Sequence, residues 1–222
     1  MMDIRKELFL NEDLKYRDFH SKLIPGLDKN NIIGVRIPVL RRLAKNAVKE
    51  NVQVSDKYYE ERMIKGMMIG YEKCSVEKHI RDLKAFIPLI DNWAVCDCVC
   101  ATLKFTNKNL NEMWNFILPY LNSTEEYEIR FAVVMMMSYF LTDEYIDRVL
   151  DCYLEIKSDA YYVNMAVSWG LSTAFVKYED KVMPVLEKKL LSPWVHNKAI
   201  QKIRESYRAD KKTKDYLNTL KI

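Results

Sequence analysis

The chain has 222 residues, is 49% hydrophobic and carries a formal net charge of +4. This length is enough to bury a substantial core and is near the upper range for one domain, so we expect a single domain over residues 1–222. Only five glycines and six prolines are present, which favours long helices over tight turns and predicts an all-α protein. No run of about 18 apolar residues is available to span a bilayer, and the start lacks the order of a signal peptide. We therefore expect a cytoplasmic protein that does not bind membranes.

The cysteines do not indicate a metal centre. Three of the five lie in one short stretch, as Cys96, Cys98 and Cys100. On a helix Cys96 and Cys100 share a face whereas Cys98 points elsewhere, and the chain's three histidines are distant in sequence. We expect reduced, mostly buried thiols and neither a metal nor a cofactor.

The N-terminal part of the chain is predicted to contain a helical region followed by a basic helix. Residues 3–23 alternate apolar and charged positions at helical spacing and stop at Pro25-Gly26, a strong break. Pro38 suits the first position of the next helix, where its missing N–H costs nothing. No acidic residue occurs from Lys29 to Lys49, so this helix carries charge of one sign. Its basic residues are Arg41, Arg42, Lys45 and Lys49.

Ten further helices are predicted. They are separated by short segments that contain Ser, Asn, Asp or Pro, as is usual for helix caps and tight helix–helix connections. Their approximate ranges are 55–72, 76–90, 92–105, 108–121, 124–141, 143–156, 160–177, 179–191, 194–208 and 211–220.

A repeat becomes visible when the second helix of each later pair is aligned on a small residue followed by a β-branched one. The aligned dipeptides are Ala94-Val95, Ala132-Val133, Ala166-Val167 and Ala199-Ile200, at spacings of 38, 34 and 33 residues. A period in this range is typical of a helical-hairpin solenoid, in which each pair buries its apolar face by stacking on its neighbours. The repeated alanine fits a position where adjacent helices approach closely.

This alignment places chemically distinctive residues of different repeats on one stripe across successive helices. The residues of the stripe are Trp93, Asp97, Trp169, Lys198 and Lys202, with Arg130 within reach. On a helix Trp93 and Asp97 share one face, which suits a ligand with both an apolar surface and a positive charge. The alternative is that Trp93 is a core residue and Asp97 a solvated or capping acid. In a solenoid such a stripe lies on the concave face, and we expect the site there.

Charge is unevenly distributed along the chain. Residues 188–222 contain ten basic and three acidic residues, a net charge of +7, whereas residues 112–160 contain three basic and ten acidic residues, a net charge of −7. Basic ends on both sides of an acidic middle are suited to binding a polyanion. A central carboxylate could then interact with a cationic group of that ligand. For any single lysine or arginine, a solvated helix face remains the alternative.

At several separate positions the sequence resembles the AlkD family of DNA alkylation repair glycosylases. The matching features are the Trp93–Asp97 pair, Arg130 in Ile129-Arg130-Phe131-Ala132, Trp169 in Ala166-Val167-Ser168-Trp169, the stretch Gly34–Leu43, and the helix Lys198–Ile203. Together they cover nearly the whole chain. The resemblance implies a right-handed solenoid of HEAT-like repeats with a basic concave face.

The resemblance also implies an activity. It is the excision of positively charged alkylated bases, such as N3-methyladenine and N7-methylguanine, from double-stranded DNA by a monofunctional, monomeric glycosylase. The implied catalytic residues are Asp97, Trp93, Trp169 and Arg130. The residues expected to contact DNA are Arg36, Arg41, Arg42, Lys45, Asn164, Lys198, Lys202 and Arg204.

Two positions depart from the family pattern. Asn92 stands where relatives carry an aromatic residue directly before the first tryptophan, and Ser172 stands where a basic residue follows the second tryptophan. Both departures are expected to alter the affinity for DNA and the range of lesions that are excised. The competing interpretation is a non-catalytic helical-repeat module that binds nucleic acid or an acidic partner protein. It accounts for the fold and the charges, but not for Asp97 and two tryptophans on one stripe.

Overall fold

The computed structural model of the protein describes residues 2–222. Over that range the chain forms thirteen α-helices and five short 3-10 helices, and it contains no β-strand. The predicted all-α class is confirmed, and the helices pack in the repeat-like arrangement of a helical solenoid. None of the helices within residues 2–222 is long and apolar enough to cross a membrane.

The chain separates into two compact units. The first unit ends at Phe116 and the second begins at Ile117. Each has its own apolar core: Leu40, Met63 and Val99 are fully buried in the first, and Phe131 and Val163 in the second. The single domain expected over residues 1–222 stays a prediction.

The first unit contains the helices α1 to α6 and nearly all of α7. Their bounds are α1 Ile4–Leu10, α2 Leu14–His20, α3 Ile37–Glu50, α4 Tyr59–Tyr71, α5 Val76–Phe86, α6 Trp93–Cys100 and α7 Leu110–Ile117. Short 3-10 helices occur at Ser21–Leu23, Lys29–Asn31, Ile87–Leu89 and Lys104–Lys108. Helix α4 is central, because α1, α3, α5 and α6 all pack against it.

The helical region predicted for residues 3–23 is two helices rather than one. The Asn11 amide donates a hydrogen bond to the Glu7 carbonyl at 2.8 Å and ends α1. The Asp13 carboxylate then accepts the Tyr16 N–H at 2.9 Å and begins α2. Polar side chains that bond to their own backbone compete with a continuous helix, so apolar periodicity alone did not reveal this break.

The second unit holds α8 to α13. Their bounds are α8 Glu126–Tyr139, α9 Ile146–Glu155, α10 Tyr161–Lys177, α11 Glu179–Glu187, α12 Pro193–Glu205 and α13 Lys211–Thr219, and a 3-10 helix at Leu118–Asn122 precedes them. Helix α10 packs against α8 and against α12, so these three alternate helices form one layer. The anchoring alanines of this layer, Ala132, Ala166 and Ala199, are all buried, as the repeat predicted.

Helix α6 is shorter than the predicted range of 92–105. It ends at Cys100, and the Thr102 hydroxyl donates to the Val99 carbonyl at 2.7 Å just beyond the last turn. Its anchoring residues Ala94 and Val95 are buried, as expected for a helix that packs on α4. Gly66 of α4 permits this approach, because a Cβ atom there would collide with Val99.

Candidate functional site

The start of α6 is fixed by Asn92, the residue that departs from the family pattern. Its side-chain oxygen accepts the Val95 N–H at 2.9 Å, and its amide donates to the Asp91 carboxylate at 2.8 Å. Asn92 is only 1% exposed. It therefore acts as a buried N-cap that makes Trp93 the first residue of the helix, a role that an aromatic side chain does not fill.

Trp93 is held by the N-terminal part of the first unit. Its indole N–H donates to the Leu23 carbonyl at 2.9 Å, and its ring lies 6.4 Å from the His20 ring. His20 in turn bonds through Nε2 to the Tyr59 hydroxyl at 2.9 Å and stacks on Tyr16 at 5.1 Å. Burial lowers the pKa of His20, so its imidazole is neutral near pH 7. The half-buried Trp93 ring is thus fixed on one side by an uncharged aromatic cluster.

Asp97 lies one turn after Trp93 and is half-buried. The pKa of the neighbouring Cys98 thiol indicates which charges lie near Asp97. Burial raises the pKa of Cys98 to about 11; the nearby Asp97 carboxylate adds to the rise, and the Arg41 guanidinium opposes it. A carboxylate of α6 and a cation of α3 therefore act on the same small region of the first unit.

The basic helix α3 presents its charges beside the end of α4. Arg41 donates to the Tyr71 hydroxyl at 3.2 Å, and the Lys45 ammonium lies 5.2 Å from the centre of the Tyr71 ring. Arg42 is exposed. Among residues 2–222, no ion pair with a carboxylate involves Arg41, Arg42 or Lys45. Their charge is therefore available to an anionic ligand.

Arg36 is positioned differently, by a buried carboxylate under the segment that precedes α3. Glu60 is fully buried and accepts the N–H groups of Ile33, Gly34 and Val35 at 3.0, 2.7 and 3.2 Å. Burial raises the pKa of Glu60, and the three backbone hydrogen bonds oppose the rise. The segment that Glu60 holds ends at Arg36.

Gly34 is needed in this segment on two grounds. Its φ of +97° is in the left-handed region, and a Cβ atom would lie 2.6 Å from the Asp13 carbonyl oxygen. The adjacent Arg36 pairs with the Asp13 carboxylate at 2.8 Å and lies 4.8 Å from the centre of the Tyr16 ring. Arg36 is thus exposed but already paired, unlike the cations of α3.

In the second unit, Arg130 is largely buried. Its side chain on α8 is 5% exposed, and its guanidinium donates to the Tyr162 carbonyl at 2.7 Å. The same group lies 6.0 Å from the centre of the Tyr162 ring. The structure therefore ties Arg130 to the first turn of α10, an interaction that the sequence did not predict.

The basic residues of α12 lie close to Arg130. Burial lowers the pKa of the Lys202 ammonium, and the nearby charges of Lys198 and Arg130 lower it further, while Glu205 acts in the opposite direction. Lys198 also bonds to the Gln201 amide oxygen at 2.8 Å. Lys198, Lys202 and Arg130 therefore bring positive charge into one region of the second unit, with Glu205 beside them.

Trp169 and Lys202 line one open groove of about 350 Å³ in the second unit, together with Arg208. Trp169 is 37% exposed, a high value for its type. The Ser172 hydroxyl donates to the Trp169 carbonyl at 2.8 Å. Unlike a basic residue at this position, it adds no charge to the groove.

Two of the residues expected to contact DNA lie elsewhere. The Asn164 amide donates to the Ser158 carbonyl at 2.9 Å, and it lines a separate cavity of about 290 Å³. Arg204 is partly buried, and its Nε has no hydrogen-bond partner among the described residues. Neither residue lines the groove of Trp169.

The predicted site residues thus form two groups. Trp93 and Asp97 lie in the first unit with the cations of α3, and Arg130, Trp169, Lys198 and Lys202 lie in the second. The sequence reasoning missed Tyr16, His20 and Glu60. His20 carried a weak signal, as one of only three histidines and within a predicted helix, but nothing in the sequence pointed it at Trp93.

Comparison with known proteins gives the family. A sequence model of the family described as DNA alkylation repair enzyme matches residues 4–203, which is most of the chain. No curated protein matches the sequence. The matched range contains the positions of Trp93, Asp97, Arg130 and Trp169. The chain therefore belongs to the DNA alkylation repair enzyme family.

Proposed function

We propose that the protein is a DNA glycosylase that excises positively charged alkylated bases, such as N3-methyladenine and N7-methylguanine, from double-stranded DNA. The observation that carries the proposal is the pairing of a fixed tryptophan ring and a carboxylate one turn apart on α6, in a chain of a DNA alkylation repair family. We further propose that it acts as a monomer in the cytoplasm.

The reaction is hydrolysis of the bond between C1′ of deoxyribose and the base nitrogen. A cationic alkylated base leaves with the bonding electron pair as a neutral molecule, so the reaction requires no general acid. Positive charge develops on the sugar as in glycoside hydrolysis. The Asp97 carboxylate stabilises that charge and orients the water whose oxygen bonds to C1′ and whose proton passes to solvent.

Each of the two tryptophans supplies an apolar contact surface on its own unit. Trp93 packs against the sugar with its ring fixed through Leu23, and the exposed ring of Trp169 packs against the DNA backbone. Removing water strengthens the attraction between Asp97 and the developing cation, because the local dielectric constant falls.

The basic residues bind phosphates. On the first unit these are Arg41, Arg42 and Lys45; on the second they are Lys198 and Lys202. Such interactions depend on the DNA backbone rather than its sequence. In this proposal Arg130 also holds a phosphate, once its guanidinium exchanges the Tyr162 carbonyl for the charged oxygen.

The test is single-turnover release of base from a duplex that contains N7-methylguanine, at saturating protein. The wild-type protein is expected to release the base. Asp97→Asn keeps the shape of the side chain but removes its charge, so the rate should fall about 10²–10³-fold with DNA affinity nearly unchanged. Asp180→Asn, which alters an exposed acid of α11, is the matched control and should retain the wild-type rate.

The second candidate is a non-catalytic module that binds nucleic acid or an acidic partner protein. The burial of Arg130 and its bond to the Tyr162 carbonyl favour it, because they give a structural role in the fold to a residue that the first proposal places in the active site. Duplex binding without release of any alkylated base would establish this second candidate. Equal rates for the wild type and Asp97→Asn would exclude a catalytic carboxylate.

A further inference from the structure

Four aromatic rings form a continuous row in the second unit, at the N-terminal ends of α8, α10 and α12. Tyr127 stacks on Tyr162, with 5.8 Å between ring centres and an interplanar angle of 30°. Tyr161 meets Tyr162 edge-on at 5.1 Å and Trp194 edge-on at 5.7 Å. We call these four residues the aromatic row.

The outer end of the aromatic row faces solvent. Tyr161 is 54% exposed and Trp194 is 40% exposed. Large aromatic rings stabilise a fold by burial, so two exposed neighbouring rings add little to the core of this unit. Their surface is available to a ligand.

Cations lie beside two rings of the row. The Arg130 guanidinium lies 6.0 Å from the centre of the Tyr162 ring, and the Lys198 ammonium lies 5.6 Å from that of Trp194. Lys198 and Lys221 line an open depression of about 510 Å³ together with Trp194. The Glu126 carboxylate in the same region is engaged, because it accepts the Tyr162 N–H at 2.7 Å.

The chemistry of this surface selects the ligand. A ring face carries partial negative charge, so it repels the carboxylates of an acidic peptide. Nucleobases are flat π systems that stack on aromatic rings, and phosphates pair with lysines beside them. Bases are available for stacking only where they are unpaired.

We propose that the aromatic row is a binding site for single-stranded nucleic acid, with unpaired bases stacked on Tyr161 and Trp194 and phosphates on Lys198 and Lys221. This site lies in the second unit, whereas the proposed hydrolysis depends on Asp97 of the first. The rings of the row have no part in that hydrolysis. Lys198 binds phosphates in both proposals, so the two are distinguished through Tyr161 and Trp194, which have no part in base release.

The experiment measures the affinity of fluorescently labelled oligothymidine and of an abasic oligonucleotide with the same number of phosphates. The wild type should bind oligothymidine more tightly. Tyr161→Ala and Trp194→Ala should each weaken oligothymidine binding by about fivefold to a hundredfold, the range for loss of one stacked base. Binding of the abasic strand should be unchanged in both variants.

Tyr161→Phe and Trp194→Phe are the matched controls, since they keep a ring and should keep most of the affinity. Equal weakening of oligothymidine and abasic binding would refute stacking. Equal affinity of the wild type for the two strands would refute it without any variant, and this comparison does not depend on how a variant folds. Ring-dependent binding of polyglutamate at similar affinity would assign the surface to an acidic protein instead. Release of methylated base, measured in parallel, tests the glycosylase proposal alone.

Discussion

The buried carboxylate of Glu60 offers a sharp test of how the fold positions Arg36, the basic residue directly before α3. In Glu60→Gln the retained oxygen still accepts the Gly34 and Val35 N–H groups, which both bond to Oε1. The new amide N–H₂ replaces Oε2 and faces the Ile33 N–H, so one buried donor loses its acceptor. Bulk water does not reach that donor to replace the acceptor, because Glu60 is 0% exposed.

The magnitude follows from these three hydrogen bonds. An unsatisfied buried N–H costs about 1–3 kcal/mol, and each of the two remaining bonds weakens by about 1 kcal/mol when its acceptor becomes neutral. Relief of the buried charge offsets part of this loss. At pH values where Glu60 is ionised, we expect a net decrease of about 2–4 kcal/mol in the free energy of unfolding, or a fall in Tm of roughly 4–16 °C for a chain of this size.

The pH dependence has a definite sign. Because burial raises the pKa of Glu60 in the folded protein, the folded state holds a proton at pH values where the unfolded state has released it. The contribution of Glu60 to stability is therefore largest below its unfolded pKa and declines as the pH rises toward its folded pKa. Gln does not titrate, so the difference between wild type and Glu60→Gln should shrink as the pH rises through that window.

Urea denaturation at several pH values measures both effects. Glu179→Gln, at an exposed position at the start of α11, is the matched control and should change stability by less than about 0.5 kcal/mol. A Glu60→Gln protein as stable as the wild type would refute the role given to the three backbone hydrogen bonds. A difference that grows with pH would refute the sign of the pKa argument.

Three further predictions concern the site. Trp93→Phe keeps a ring but loses the hydrogen bond to the Leu23 carbonyl, which is worth about 0.5–1.5 kcal/mol. Single-turnover base release should therefore slow by about twofold to tenfold. An unchanged rate would mean that the indole N–H does not position the ring. Arg41→Glu and Lys202→Glu should weaken binding to duplexes of every sequence alike. The slope of log K against log salt should become shallower by about 0.9 for every phosphate that the variant no longer neutralises. A sequence-dependent effect would contradict backbone binding. Arg36→Glu should weaken binding less than Arg41→Glu, because Arg36 is already paired with Asp13, and fluorescence anisotropy compares the two directly.

The sequence by itself determined the class and much of the local order. Alanines such as Ala132 and Ala166 mark where helices approach closely. The local period of apolar and small residues predicts this packing. The acid-free basic run that ends at Lys49 and the one-turn separation of Trp93 and Asp97 are likewise properties of neighbouring residues. The structure places both on helices, and the only acidic residue of α3 is its last, Glu50.

Only the tertiary structure decided how those side chains are held. The indole of Trp93 bonds to a carbonyl 70 residues earlier, Glu60 bonds to N–H groups up to 27 residues earlier, and Arg130 bonds to a carbonyl 32 residues later. Such hydrogen bonds leave no periodic signal, because each joins one side chain to one backbone group after the helices have packed. Burial depends on the same packing, and for this reason the sequence did not show that the fold surrounds Arg130 with protein.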